Sequence, residues 1–305
     1  MPEAVRRAIQ ERAAQAGFAT LKSAAAQLSD AYREGRAFRL TSAERVTAYL
    51  VTRMPATYAA NFTVLREVRS RLGERSISSV LDVGAGTGAA SLAARHWFPD
   101  ARITLMEREA AMLDAAREWL PDASAEMRNV TSMPALPPHD LVIAAYSLGE
   151  FDQAMAARLW EAARVACVVI EPGTPKGFAA VLAVRAEWLA AGAHIAAPCP
   201  AETPCPLAPP DWCHFAARVE RTSVHRRLKD AALGYEDEKY SYIAMARQAV
   251  TPANQRVIRR PQHQPGLVIL ETCTARGVVT RRVSKRDRDA FRAARQAAWG
   301  DADIS

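Results

Sequence analysis

No segment of the chain is long and apolar enough to cross a bilayer. The longest run without Lys, Arg, Asp or Glu is the 14 residues from Trp188 to Ala201, and it holds prolines; a spanning helix needs about 20 apolar residues. No apolar signal core opens the sequence. Arg6, Arg7 and Arg12 alternate with Glu3 and Glu11, which also argues against a transit peptide. Cysteine is scarce, five in 305 residues, too few for a disulfide scaffold. No membrane partner and a bacterial cytoplasmic location are therefore expected. Nor does the chain have a disordered composition: half its residues are hydrophobic and 24% are charged. Its length suits one large domain, or a catalytic-sized domain with attachments. There are no internal repeats.

The chain has 40 Lys and Arg against 33 Asp and Glu, a net charge of +7, which fits a polyanionic partner without naming one. Residues 1–75 are rich in Ala, Arg, Leu and Glu and predict helices. Thr41 and Glu44 form a capping-box pattern ahead of Arg45–Met54, and Pro55 is expected to close that run. Ala59, Phe62, Leu65, Val68 and Leu72 then recur at helical spacing. Beyond Gly73 the texture changes. Ser78–Val83, Ala101–Met106, Leu141–Tyr146 and Val165–Ile170 read as strands, and Ala89–Phe98, Ala110–Leu120 and Gln153–Ala163 as the helices between them. That alternation indicates a doubly wound α/β fold with a parallel sheet. Residues 197–210 hold six prolines and predict an irregular loop. Lys239–Ala246 and Leu267–Thr274 read as further strands, and Ser284–Ala298 as a basic terminal helix.

The first strand runs into Leu81-Asp82-Val83-Gly84-Ala85-Gly86-Thr87-Gly88. Glycines at 84, 86 and 88 allow a sharp turn and a close approach of backbone to ligand. Gly-x-Gly-x-Gly after Leu-Asp-Val looks like motif I of S-adenosylmethionine-dependent methyltransferases. A nicotinamide-dinucleotide site and a turn without ligand are the alternatives. Glu107, at the end of the second strand, lies near the spacing at which a carboxylate meets ribose hydroxyls. Asn129 stands where an adenine-reading residue is expected. The candidate donor-binding residues are thus Asp82, Gly84, Gly86, Gly88, Glu107 and Asn129. No target motif accompanies them: Ala145-Tyr146-Ser147-Leu148-Gly149-Glu150 lacks both the Asn/Asp-Pro-Pro-Tyr/Phe pattern of amino-directed enzymes and a Pro-Cys nucleophile. The catalytic residue is left open; Glu150 is either a general base or ordinary surface.

Cys199, Cys205 and Cys213 share the proline-rich loop, and Cys273 follows at the end of a predicted strand. Four thiolates at such spacing can close a zinc site or a 4Fe–4S cluster; absence of metal is the third possibility. His214 is a weaker candidate ligand, and Cys167, in an apolar run, reads as a core thiol. From Arg256 to Arg295 eleven Lys or Arg face three acidic residues, a net of +8. Arg predominates, which suits phosphate contacts and RNA binding. His225, Arg226, Arg227 and Lys229 either extend that patch or form a solvated helix face. Trp212, Phe215, Tyr240 and Tyr242 either stack on unpaired bases or pack the core.

Several stretches together resemble the methyltransferase-like small-ribosomal-subunit assembly proteins of mitochondria and bacteria. They are residues 49–58, the glycine loop, Glu171-Pro172-Gly173-Thr174-Pro175, Cys199-Pro200, Cys205-Pro206, Trp212-Cys213-His214-Phe215, residues 235–242, Val283-Ser284-Lys285-Arg286 and Trp299-Gly300-Asp301. The resemblance spans roughly residues 45–301. It implies a methyltransferase fold, a 4Fe–4S cluster on Cys199, Cys205, Cys213 and Cys273, and binding to small-subunit ribosomal RNA during assembly. The expected organisation is a helical N-terminal domain (1–75), a methyltransferase-like core (76–195), a metal-binding, RNA-facing insertion (196–264), and the last core strands with a basic tail (265–305). An active rRNA methyltransferase, a small-molecule methyltransferase with structural zinc, and a binding module with a vestigial donor pocket are the rival readings.

Overall fold

The computed structural model of the protein describes residues 1–33, 40, 42–152 and 154–303. Four helices come first: α1 (Glu3–Ala16), α2 (Phe18–Arg33), α3 (Ala43–Thr52) and α4 (Met54–Leu72). Thr41 of the expected capping box lies outside the described residues. The cap is Ser42, whose hydroxyl accepts from the Arg45 backbone at 3.3 Å. Pro55 opens α4 instead of ending the preceding run, because a first-turn residue needs no N–H donor.

Strand and helix then alternate: β1 (Ser79–Val83), α5 (Ala89–Trp97), β2 (Arg102–Glu107), α6 (Ala110–Trp119), β3 (Ser124–Met127), β4 (His139–Ala145), α7 (Met155–Ala162), β5 (Ala163–Pro172), α8 (Pro175–Ala190), β6 (His194–Ala197), β7 (Phe215–Glu220), α9 (Ser223–Leu228) and β8 (Tyr235–Ala246). Gln153, expected at the start of α7, is outside the described residues. The strands form one sheet in the order β3-β2-β1-β4-β5-β8-β6, with β7 also paired to β8. Neighbouring residues take opposite faces, the period-2 rule of a strand. Val80, Ile103, Ile143 and Val168 meet the N-terminal helices with α5 and α6, while Leu81, Met106, Val142 and Val169 meet α7 and α8. Cys167 is fully buried on the latter side. This is an α/β, Rossmann-like fold.

Two expectations are corrected here. The sheet is mixed, since β8 runs antiparallel to β5, β6 and β7. Most of residues 215–246 are therefore sheet strands and not an insertion; the irregular piece is the cysteine loop between β6 and β7. Residues 267–274 do not complete the core either. They form β11 (Leu267–Thr274), which pairs with β9 (Gln255–Val257), β10 (Gln262–Gln264) and β12 (Gly277–Ser284) in a second sheet. The two-residue connection between β11 and β12 favours that local pairing. The helix α10 (Arg288–Gln296) gives this sheet its own small core, with Ala294 buried against Val268, Leu270 and Val283.

Candidate functional site

The C-terminal ends of the parallel strands open onto a cavity of about 940 Å³, the usual ligand position in such sheets. Its floor is the glycine turn. Gly84 and Ala85 donate backbone N–H groups to the Met106 carbonyl at 2.9 and 3.0 Å, which folds the turn over β2. Gly84 and Gly86 take φ of 72° and 56°, the left-handed region that glycine enters without strain. Further walls come from Tyr146–Phe151 after β4 and from Glu171, Pro172 and Thr174 at the end of β5 and just beyond it. The helical part roofs the cavity through Leu40, Tyr49, Arg53, Thr57 and Asn61. Tyr146 also has a positive φ, 59°, uncommon for an aromatic residue and typical of sites where backbone strain is retained.

Five of the six sequence candidates line this cavity: Asp82, Gly84, Gly86, Glu107 and Asn129. Glu107 accepts three backbone N–H groups, from Gly86 at 2.9 Å, Arg108 at 2.8 Å and Glu109 at 2.9 Å. A carboxylate has about four lone-pair sites, so one is left for a ligand hydroxyl. One carboxylate oxygen of Asp82 is committed to the backbone and hydroxyl of Ser91 at 3.1 and 2.6 Å. Burial nevertheless raises its carboxyl to about 6. Asn129 uses Oδ1 on the Thr131 backbone and hydroxyl, which leaves its amide N–H group to offer. Gly88 is the exception and does not line the cavity. It caps α5, and a Cβ there would stand 3.1 Å from Leu120 and 3.2 Å from Ala116, so it serves helix packing. Glu150 lines the cavity but pairs with Arg108 at 2.7 Å.

Glu171 was not singled out from the sequence. It is 6% exposed, accepts from the Leu148 backbone at 3.0 Å and faces the cavity. Burial raises its carboxyl to about 7, against the pull of the Leu148 and Ser147 N–H groups. The signal was available: an acidic residue at the C-terminal end of a core strand.

Cys199, Cys205, Cys213 and Cys273 line a second, smaller cavity of about 50 Å³. Cys199 follows β6, Cys213 precedes β7, and Cys273 reaches in from β11 of the second sheet. No carboxylate or imidazole shares the lining; its charged members are Arg185 and Arg256. Among the described residues no three His, Cys, Asp or Glu are grouped for a metal ion. All five cysteines are free thiols. Burial pushes the Cys273 thiol to about 11, and Cys199 and Cys205 beside it add to the rise. Burial likewise holds Cys213 well up, reinforced by the other three thiols. Burial raises Cys199 too, while the Arg185 guanidinium works the other way. Cys199, Cys213 and Cys273, whose ionisation burial and neighbouring thiols oppose, form with Cys205 a donor set that a cationic inorganic centre would relieve. His214 is not in this lining; its ring stacks on Trp212 and meets the edge of Trp299.

Helix α8 contributes to both cavities, Lys176, Gly177 and Ala180 to the larger and Phe178, Val181 and Arg185 to the smaller. The Trp212 indole donates to the Gly173 carbonyl at 3.0 Å, so the cysteine loop leans on the turn between β5 and α8. Of the eleven basic residues in 256–295, eight are exposed: Arg260, Arg276, Arg282, Lys285, Arg286, Arg288, Arg292 and Arg295. Arg256 is buried and belongs to the interior. Phe215, Tyr240 and Tyr242 are buried against one another, which removes them as base-stacking platforms. His225 is 1% exposed and does not extend the basic surface, and Lys229 pairs with Glu236 at 2.9 Å. Among the described residues no helix is long and apolar enough to cross a membrane.

The family described as "Mitochondrial small ribosomal subunit Rsm22" matches residues 43–303. The human mitochondrial ribosome assembly protein METTL17 is 26% identical over 290 residues, covering 83% of this chain and 61% of the relative. The mitochondrial Rsm22-cox11 tandem protein 2 of Schizosaccharomyces pombe is 25% identical over 329 residues, covering 84% of this chain and 43% of its own. The chain thus spans about half the length of these relatives. Among solved structures, a precorrin-6y C5,15-methyltransferase from Geobacter metallireducens is 18% identical, covers 61% of this chain and 88% of its own, and superposes with a TM-score of 0.39.

Proposed function

The chain belongs to the Rsm22 family of the mitochondrial small ribosomal subunit, and from that premise we propose that it is a small-subunit assembly factor that binds ribosomal RNA. In this reading it holds S-adenosylmethionine in the glycine-loop cavity and a 4Fe–4S cluster on Cys199, Cys205, Cys213 and Cys273. The observation that carries the reading is the convergence of four cysteines from two sheets on one cavity free of carboxylate and imidazole. All-thiolate donation suits iron–sulfur and zinc centres, and the resemblance of the cysteine stretches to the family favours the cluster. The exposed Arg and Lys of residues 260–295 supply phosphate contacts with strong salt dependence and little base reading. Free cysteines fit a reducing compartment, here the bacterial cytoplasm; the relatives compared above are mitochondrial.

For the methyl donor, Gly84 and Gly86 would bring backbone to the ligand, Glu107 would accept from a ribose hydroxyl through its remaining lone-pair site, and Asn129 would offer its amide to the base. The donor would supply an electrophilic methyl group. A Val at Gly86 would place Cβ 3.1 Å from Met112 in a left-handed backbone, a strain of about 1–2 kcal/mol. Gly86→Val should weaken S-adenosylmethionine binding more than tenfold by calorimetry while thermal melting falls only modestly. Glu171, titrating near neutrality in the same cavity, favours active RNA methylation as a second reading, because such a carboxyl is suited to move a proton. Transfer of labelled methyl to precursor small-subunit RNA tests it.

The proposal as a whole is tested by anaerobic purification with iron, sulfide and zinc assay, then RNA binding across a salt series. Cys205→Ser should release the metal, loosen residues 197–215 and weaken small-subunit RNA binding severalfold. Unchanged affinity and salt slope in that variant would break the link between cysteine site and RNA. One zinc per chain with no iron, sulfide or bound RNA would favour the small-molecule enzyme instead.

A further inference from the structure

Arg185 projects from α8 into the cysteine cavity and is 6% exposed. One guanidinium nitrogen donates to two carbonyls of the cysteine loop, Ala201 at 3.0 Å and Thr203 at 2.7 Å. Its Nε is buried without a partner. Arg256, the other cation of the lining, is answered by Glu67 at 2.7 Å. Arg185 has no such answer: among the described residues no carboxylate pairs with it. A guanidinium stays charged under all ordinary conditions, and an uncompensated buried charge is costly. Two carbonyl dipoles do not neutralise it. The remaining lining that can carry negative charge is the four thiols.

We infer that Arg185 is a built-in counter-ion for an anionic four-thiolate centre, stabilising its net negative charge and donating Nε–H toward the Cys199 side of the cavity. Four thiolates outnumber the positive charge of either a zinc ion or an oxidised 4Fe–4S core, so the centre is anionic in both cases. A neighbouring cation then strengthens metal retention and, for a cluster, eases the uptake of an electron, since reduction adds further negative charge. Arg185 is in this sense a positioning and charge-compensating residue, not a ligand. The inference rests on the four-cysteine reading above.

The test compares the full chain with Arg185→Met and Arg185→Lys, each purified anaerobically and checked for folding by circular dichroism. Arg185→Met keeps the apolar stem and removes the charge. It should lose metal to a chelator about 10- to 100-fold more readily, the scale on which outer-shell partners act, and a bound cluster should have a more negative midpoint potential. Arg185→Lys keeps the charge but not the fork, and should recover most of both properties. Metal retention and potential in Arg185→Met equal to the native chain would overturn the inference. So would equal losses in both variants, because anchoring of Ala201 and Thr203 alone would then explain them. A native chain that holds neither iron nor zinc would overturn the four-cysteine reading itself, and this inference with it.

Discussion

Adding a single methyl group at Gly177 should destabilise the protein by about 3 kcal/mol or more, the upper end of overpacking costs. The strand β5 ends at Pro172 and α8 begins at Pro175, so the chain reverses within two residues. Thr174 caps the helix by accepting from the Gly177 backbone at 3.1 Å. That turn drives the Pro172 carbonyl against Gly177, where an ideal Cβ would sit 2.1 Å from its oxygen. The obstacle is backbone and has no rotamer to escape into, so strand and helix must separate. A loss of that size corresponds to a melting temperature lower by roughly 5–10 °C. Gly149 provides the contrast: its Cβ would meet nothing within 4 Å, so Gly149→Ala should stay within about 0.5 kcal/mol. Equal melting of the two variants would mean that the turn is not as tight as drawn. Because Gly177 also lines the larger cavity, Gly177→Ala should also weaken the S-adenosylmethionine binding proposed for that cavity.

The same region shows what was legible in the sequence. The strands β4 and β5 carry continuous apolar runs, as strands buried on both faces do, and β1 and β2 are apolar for most of their length; all four lie within two residues of their expected ends. The glycine turn and Glu107 followed from that reading, because a phosphate- or nucleoside-binding turn needs glycine at fixed places whatever surrounds it. The helix α8 and the strands β6 and β7 were not read. Helix α8 is apolar around much of its circumference, so no amphipathic period marks it. Strand β6 is four residues long, too short for alternation to register. Partnership across the chain was less legible still. Gly88 shares its spacing with Gly84 and Gly86 yet faces a helix, and Tyr240 and Tyr242 read equally as base-stacking or core residues until their burial is seen. Arg256 counts toward a basic surface by composition, but three of its nitrogens are spent inside the protein.

That burial makes Arg256 the second position where a large effect is expected. At 3% exposure its guanidinium donates to the Pro198 carbonyl at 3.1 Å, the Gly300 carbonyl at 2.9 Å and the Glu67 carboxylate at 2.7 Å. One side chain thereby ties α4, the entry to the cysteine loop and the C-terminal segment. Arg256→Met should cost about 3–5 kcal/mol, the penalty for removing one partner of a buried pair. Glu67 would keep Arg71, at 2.9 Å, which sets the cost toward the lower end. Replacing both members, Glu67→Leu with Arg256→Met, should be less harmful than Arg256→Met alone, since no buried charge is stranded; the Pro198 and Gly300 carbonyls stay unpaired, so recovery is partial. The pH dependence carries a matching sign. Burial alone would raise the Glu67 carboxyl, but Arg256 and Arg71 hold it below its ordinary 4.5. A carboxyl that titrates lower when folded adds stability above about pH 4.5, lost as pH falls through the folded value. Arg256→Met should shrink that acid-side loss, measured by urea unfolding from pH 6 down to pH 3. Because Pro198 precedes Cys199, the variant should also expose Cys199 and Cys205 to faster alkylation in chelator-treated protein. If alkylation rates stay at the native level while stability falls, Arg256 secures the C-terminal segment but not the cysteine loop.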